Sequence, residues 1–346
     1  RGRGTPPGRH RGLGQTGGPR HGHVLIDGNQ QQPRIAGLPI CDCRHELRAN
    51  TIQFIAGGNV SRVTVDRPPE HVLATYGLSG VKPVQLGPTW EGGWRCGEVV
   101  LSLVADHARA AWSAKVRDTL FIDGVRLARP VRSTDGRYVV SGWRADTFVA
   151  GAPEPRHDEV VSLSVRLHEA TSKLERPRFL TQPPVAPWAD VDVFIAADRA
   201  AWEDRPLQSW PSAARVSPGS PDGQRSIDLI NQLASLRRPT KSPPQLVHGD
   251  LYGTVLFAGA AAPGITDITP YWRPASWAAG VAVVDALSWG DADDGLIERW
   301  ATLPEWPQML LRALIFRLAV HALHPRSSAQ SFPGLARTAA LVRLTL

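Results

Sequence analysis

Two carboxylates stand where they can do chemistry together. Asp250 lies in the run His248-Gly249-Asp250-Leu251-Tyr252-Gly253-Thr254-Val255-Leu256-Phe257, and Asp267 follows 17 residues later in Gly264-Ile265-Thr266-Asp267. Each adjoins short apolar segments, 245–247 and 255–257 for the first and 265–268 for the second, which predict strands that one hairpin can bring together. Such a pair suits phosphoryl transfer. One carboxylate orients an attacking hydroxyl and accepts its proton, while the other holds a magnesium ion against nucleotide phosphates. An isolated His-x-Asp would be no more than a polar turn, and it is the flanking strands and the second acid that make this a candidate site. His248 reads as structural, bonding to the loop backbone.

These acids need a scaffold, and the pattern along the chain supplies one. Residues 70–76 predict a short helix, and 81–86, 94–96 and 98–104 predict strands, with the turn-rich run Gly87-Pro88-Thr89-Trp90-Glu91-Gly92-Gly93 between the first two. A helix is expected over 108–120, and two further strands over 137–143 and 147–149. Gly151-Ala152-Pro153 then breaks the pattern as a hinge. Beyond it the chain turns helical: Leu163, Leu167, Ala170 and Leu174 recur at helical spacing, as do Ile227, Ile230, Leu233 and Leu236, and 191–203 predicts another helix. Residues 205–223 read as a long loop rich in Pro, Ser and Gly. Strands first and helices after predict an α+β fold of two lobes, a small antiparallel sheet and a larger helical part.

Composition narrows the function classes. The net charge of +7 is concentrated in residues 1–62, which hold nine arginines against Asp27, Asp42 and Glu46. The rest is near neutral and shows no footprint for a phosphate backbone, so nucleic acid is not the expected partner. The Gly, Arg and Pro content of that first segment predicts an extension outside the fold, with a sheet lobe over 63–150 and a helical lobe over 151–346. The chain opens on Arg1 and its single methionine is Met309, so one reading places the translation start at a valine codon near Val63 or Val65. Cys41, Cys43 and His45 form a C-x-C-x-H cluster without the second ligand pair that structural zinc requires, so no metal is expected there. Three cysteines suit a reducing, cytoplasmic setting, and the most apolar runs, 275–289 and 310–323, are too short and too charged for a membrane.

The segment His248 to Phe257 with Asp267, supported by Pro270-Tyr271-Trp272-Arg273-Pro274, resembles the aminoglycoside phosphotransferase and small-molecule kinase superfamily, and within it an actinobacterial subgroup. The resemblance runs from about Val65 to Leu346 and implies a protein-kinase-like fold binding ATP or another purine nucleotide with Mg2+. It implies Asp250 as catalytic base, Asp267 as principal magnesium ligand and Asp285 as the buried acid that anchors the catalytic loop. It also implies backbone contacts to adenine from Phe148, Val149 and Gly151, and Gly92 and Gly93 over the phosphates.

Two departures accompany the resemblance. Thr254 stands where the superfamily has an asparagine metal ligand, and Ser102 where it has a phosphate-binding lysine, leaving Arg95 or Lys115 as candidate substitutes. Removing one such stabiliser costs about 10² to 10³ in rate. The sequence therefore leaves two readings open: a phosphotransferase acting on a hydroxyl of a small molecule, or a catalytically impaired pseudokinase that binds a nucleotide or another ligand.

Overall fold

The computed structural model describes residues 67–181, 190–204, 222–324 and 327–346. The expectations for residues 1–62, including the Cys41, Cys43 and His45 cluster, and for most of the 205–223 loop fall outside the described residues.

The first described part is an antiparallel sheet with two helices. Helix α1 (Glu70–Thr75) precedes β1 (Val84–Gln85), β2 (Trp94–Cys96) and β3 (Val99–Leu103). Helix α2 (His107–Thr119) starts at Asp106, whose carboxylate accepts hydrogen bonds from the Ala108 and Arg109 amides at 2.9 and 3.0 Å. Such a cap stabilises a helix by about 1 kcal/mol. Short strands β4 (Arg126–Leu127), β5 (Pro130–Val131) and β6 (Val139–Val140) lead to β7 (Trp143–Thr147). The sheet runs β1-β2-β3-β7-β5, with β6 also on β7.

This corrects the strand expectations at one place that matters. The strong strand is Trp143–Thr147, where the sequence suggested a break, because Arg144 and Asp146 interrupt the apolar alternation. Both are buried all the same, each answering a charge from another element.

The helical part follows the hinge: α3 (His157–Thr171), α4 (Asp190–Trp202), α5 (Gly223–Ala234), strands β8 (Gln245–His248), β9 (Gly264–Ile265) and β10 (Pro270–Arg273), then α6 (Ala275–Trp289), α7 (Leu296–Arg299), α8 (Trp306–Leu323) and α9 (Phe332–Arg343). Helices α6 and α8 are buried on nearly every side, which is why their sequences lack a polar stripe. They form the centre of the core, with α3, α4, α5 and α9 around them. Among the described residues no helix is long and apolar enough to cross a membrane.

Residues 255–257, expected as a strand, make only isolated bridges, Leu256 to Gly264 and Phe257 to Ala152. The pairing that unites the two acids is instead β8 with β10, antiparallel, with His248 opposite Pro270. Strand β9 pairs in parallel with β4, Arg126 opposite Gly264, tying the sheet part to the helical part beside the hinge.

Candidate functional site

Asp250 leaves the end of β8 in a loop fixed at every step. The Gly249 amide donates to the Thr269 carbonyl at 3.1 Å, and a side chain at Gly249 would run into the Tyr271 ring. The Asp250 amide donates to His248 Nδ1 at 3.2 Å, and the His248 amide donates to His168 Nε2 at 2.9 Å. Burial holds both imidazoles neutral, His248 at about 4 and His168 at about 3. His248 is thus the structural residue its setting suggests, and His168 on α3 extends the same brace.

The Asp250 carboxylate is buried against Arg317 of α8, Oδ1 to Nη2 at 3.0 Å, and Arg317 also takes Asp285 of α6 through Nε at 2.7 Å and Nη2 at 2.5 Å. Asp285 therefore reaches the Asp250 loop through Arg317. Burial pushes Asp250 up to about 7, with Arg317 pulling the other way and the Asp285 charge adding to the rise.

Asp267 meets a different environment. Arg144 of β7 pairs with its Oδ2, Ser113 of α2 donates to its Oδ1, and Arg117 Nε lies 3.5 Å from the same Oδ1. Burial opposes its charge, but Arg144 and Arg117 hold the carboxyl well below the usual range. Asp146 closes the network, 2.8 Å from Arg117 Nη1 and 3.5 Å from Arg144 Nε.

Ser102 is directly opposite Arg144 in the β3–β7 register. Thus the cation beside Asp267 comes from the neighbouring strand, and neither sequence candidate supplies it. Arg95 turns to Glu98 at 2.9 Å and lies 3.7 Å over the Phe148 ring, while Lys115 is exposed on α2. Sequence reasoning missed Arg144 and Arg117; an arginine opposite a small serine on a paired strand was the available signal, and it needs the register to be read.

The expected nucleotide slot is filled by the chain. Trp90 is buried in one cluster with Val100 of β3, Ala128, Val149 at the hinge and Leu256 after the catalytic loop, and Phe148 packs against it. The amides of the glycine turn bond inward: Trp90 and Gly92 to the Gly87 carbonyl at 3.1 and 3.3 Å, Gly93 to that of Trp90 at 2.8 Å. Gly93 itself sits so close to β3 that an added Cβ would lie 2.7 Å from Ser102 Oγ. Glu91, which has a left-handed backbone at φ 55°, sends its carboxylate to within 3.5 Å of Arg144 Nη2.

At the hinge, the Ala150 carbonyl accepts from Arg126 at 2.9 Å, and Gly151 at φ 134° fits close beside the Phe257 carbonyl. Thr254 Oγ1 donates back to the Asp250 and Leu251 carbonyls at 2.7 and 3.0 Å. Among the described residues no group of three or more His, Cys, Asp or Glu is placed to hold a metal. In this arrangement the residues do not fit Mg-ATP: the slot expected for adenine holds Trp90, the glycine-turn amides are spent, and the Asp267 oxygens are taken by Arg144 and Ser113 with Arg117 beside them.

No protein-family profile and no curated protein sequence matches the chain. Solved structures do. The AMP-bound spectinomycin phosphotransferase superposes with a TM-score of 0.51 at 12% identity, over 80% of this chain and 97% of that one. A microcompartment-associated aminopropanol kinase gives 0.49 at 18% identity, over 79% and 94%. An aminoglycoside phosphotransferase from Alicyclobacillus acidocaldarius gives 0.46 at 14%, over 82% and 96%. The likeness to the first is one of fold, and the chain has the expected two-lobed, kinase-like α+β architecture.

Proposed function

We propose that this chain is a pseudokinase of the aminoglycoside phosphotransferase and small-molecule kinase superfamily, a cytoplasmic protein that keeps the fold to bind a small molecule rather than to transfer phosphate. One observation carries the reading: the glycine turn lies in its own nucleotide cleft, with Trp90 in the apolar slot at Val149 and Leu256 and the Glu91 carboxylate at Arg144. The partners of Asp267 support it, because a divalent cation would have to displace Arg144 from one oxygen and the Ser113 hydroxyl, with Arg117 behind it, from the other.

A second reading, Mg-ATP-dependent transfer to a hydroxyl of a small molecule, is favoured by Asp250. Its carboxyl, pushed up to about 7, has the proton affinity that a general base needs near neutral pH. In that reading the glycine turn lifts, Asp250 is the base, Asp267 and Thr254 take the metal, and Gly92, Gly93, Phe148, Val149 and Gly151 take the nucleotide. Arg144 replaces both the missing lysine and Arg95 at the phosphates.

Calorimetric titration of ATP into the full chain, with and without Mg2+ and alongside Asp267→Ala, separates them. The pseudokinase reading expects no Mg2+-dependent binding. Binding that requires Mg2+ and is lost in Asp267→Ala would replace it with the transferase.

A further inference from the structure

A cavity lies against β10, between that strand, α4, the start of α2 and residues 176–180. Its walls are aromatic, with Phe179, Phe194, Tyr271 and Trp272 around it. Three arginines and one acid line it, which gives it a cationic balance.

The partners of those arginines decide what the cavity wants. Arg273 is already satisfied, its Nε and Nη2 each 2.7 Å from one oxygen of Asp198. Arg109 is not. It reaches over the Phe179 ring at 5.7 Å, its Nε is buried with no hydrogen-bond partner, and among the described residues it forms no ion pair. Arg176 spends one Nη2 bond on the Leu180 carbonyl at 2.9 Å and likewise meets no carboxylate among the described residues. Two guanidinium forks that face a concave, aromatic-walled space without an acid of their own call for an anion with a flat body. Arginine binds carboxylates through paired, charge-assisted hydrogen bonds, and aromatic walls bury a planar ring.

We propose that this cavity is a binding site for a small aromatic carboxylate, held at its charged end by Arg109 and Arg176 and at its ring by Phe179 and Trp272. This deepens the small-molecule-binding reading above by giving the ligand's chemical class. The cavity adjoins the catalytic loop, since Tyr271 is both one of its walls and the ring on which Gly249 rests. A ligand here therefore sits beside the segment that carries Asp250. Its charge preference is the reverse of what a polycationic aminoglycoside would need.

Fluorine NMR of 4-fluorobenzoate with the full chain tests this, using 4-fluorobenzamide as the neutral isostere and inorganic phosphate as a bare anion. The benzoate signal should broaden and the benzamide signal should not. Phosphate should displace the benzoate only at concentrations well above its own. Arg109→Met and Arg176→Met should each weaken binding at least tenfold, and Arg109→Lys should retain part of it. Arg176 is exposed and its hydrogen bond to the Leu180 carbonyl is solvent-accessible, so its variant should lower stability only slightly.

Equal broadening by the amide, binding unchanged in both methionine variants, displacement by phosphate at equal concentration, or no benzoate binding would each overturn the assignment. ATP titrated into the same samples keeps the two conclusions apart. Benzoate binding together with Mg2+-dependent ATP binding would leave this site standing, as the acceptor site, and remove the pseudokinase reading alone.

Discussion

Trp90 stacks on Phe148, ring centroids 5.8 Å apart and planes 22° from parallel. One residue comes from the glycine turn and the other from the segment leading into the hinge, and Leu256 of the helical part is buried in the same cluster as Trp90. This makes the slot expected for a nucleotide a piece of hydrophobic core. Any ligand for that slot must first displace a buried indole.

Replacing Trp90 with alanine should therefore have two opposite effects. Truncating a buried tryptophan costs about 3 to 5 kcal/mol, and the urea midpoint should fall accordingly. The vacated space is flat and apolar, so ATP should bind at least tenfold more tightly to the variant and raise its melting temperature more than that of the parent chain. Equal affinity in both proteins would show that the indole does not guard the slot.

Glu91 offers a separable test, because its side chain is 41% exposed and contributes little to the core. Glu91→Gln should change stability by less than about 0.5 kcal/mol, as exposed substitutions do. It should also leave the Nη2 end of Arg144 available to a polyphosphate, while Nη1 and Nε stay with Asp267 and Asp146. Tripolyphosphate is expected to bind about tenfold more tightly than to the parent, the worth of one charged hydrogen bond. Arg144→Met should abolish that gain, and a gain that survives would place the anion elsewhere.

The parts of this site that the sequence revealed are those written in local order. Asp250 and Asp267 are marked by the strands beside them, and the fold class by strands followed by helices. Arg144, Arg117 and Asp146 were hidden for the opposite reason. They are charged residues at buried positions of a strand and a helix, where the hydrophobic pattern predicts apolar ones, and each is tolerated only because a partner far along the chain answers it. The closing of the cleft was hidden too: Gly87 to Gly93 reads as a loop whether it arches over a ligand or folds into the ligand's place. Only the contacts of Trp90 decide between them.

Arg317 holds two acids at once, so its loss should be severe. Arg317→Met would leave Asp250 and Asp285 buried without a counter-charge, a change that typically costs about 3 to 5 kcal/mol. Both carboxyls would respond by holding their protons to higher pH. The deficit should thus be larger at pH 8 than at pH 5, where the folded variant keeps both acids neutral. Urea denaturation at the two pH values measures it, and a deficit independent of pH would mean that packing rather than charge is what Arg317 supplies.

The same loop predicts how stability depends on pH in the parent chain. His168 and His248 are held neutral, at about 3 and about 4, whereas an unfolded histidine titrates near 6.5, so below that pH the unfolded chain binds two protons that the folded chain refuses. Their contribution is present in full above about 6.5 and is lost as the pH falls toward 4. Asp250 works in the opposite direction: pushed up to about 7, it binds a proton in the folded state that an unfolded aspartate, near 3.9, has already released. Its effect is to lower stability as pH rises through the same window. Between about pH 4.5 and 5.5 these three groups leave a net of about one proton, a slope of about 1.4 kcal/mol per pH unit favouring the higher pH, which flattens toward pH 6.5. Asp285 shares Arg317 with Asp250, so neutralising Asp250 leaves Arg317 to Asp285 alone and eases its ionisation, which acts in the same direction as the loss of the Asp250 proton. Asp250→Asn should steepen the slope of unfolding free energy against pH by about one proton, and His168→Gln should flatten it by about one. An Asp250→Asn slope equal to that of the parent would mean that Arg317 keeps Asp250 ionised throughout, and the transferase reading would then lose the proton affinity that favours it.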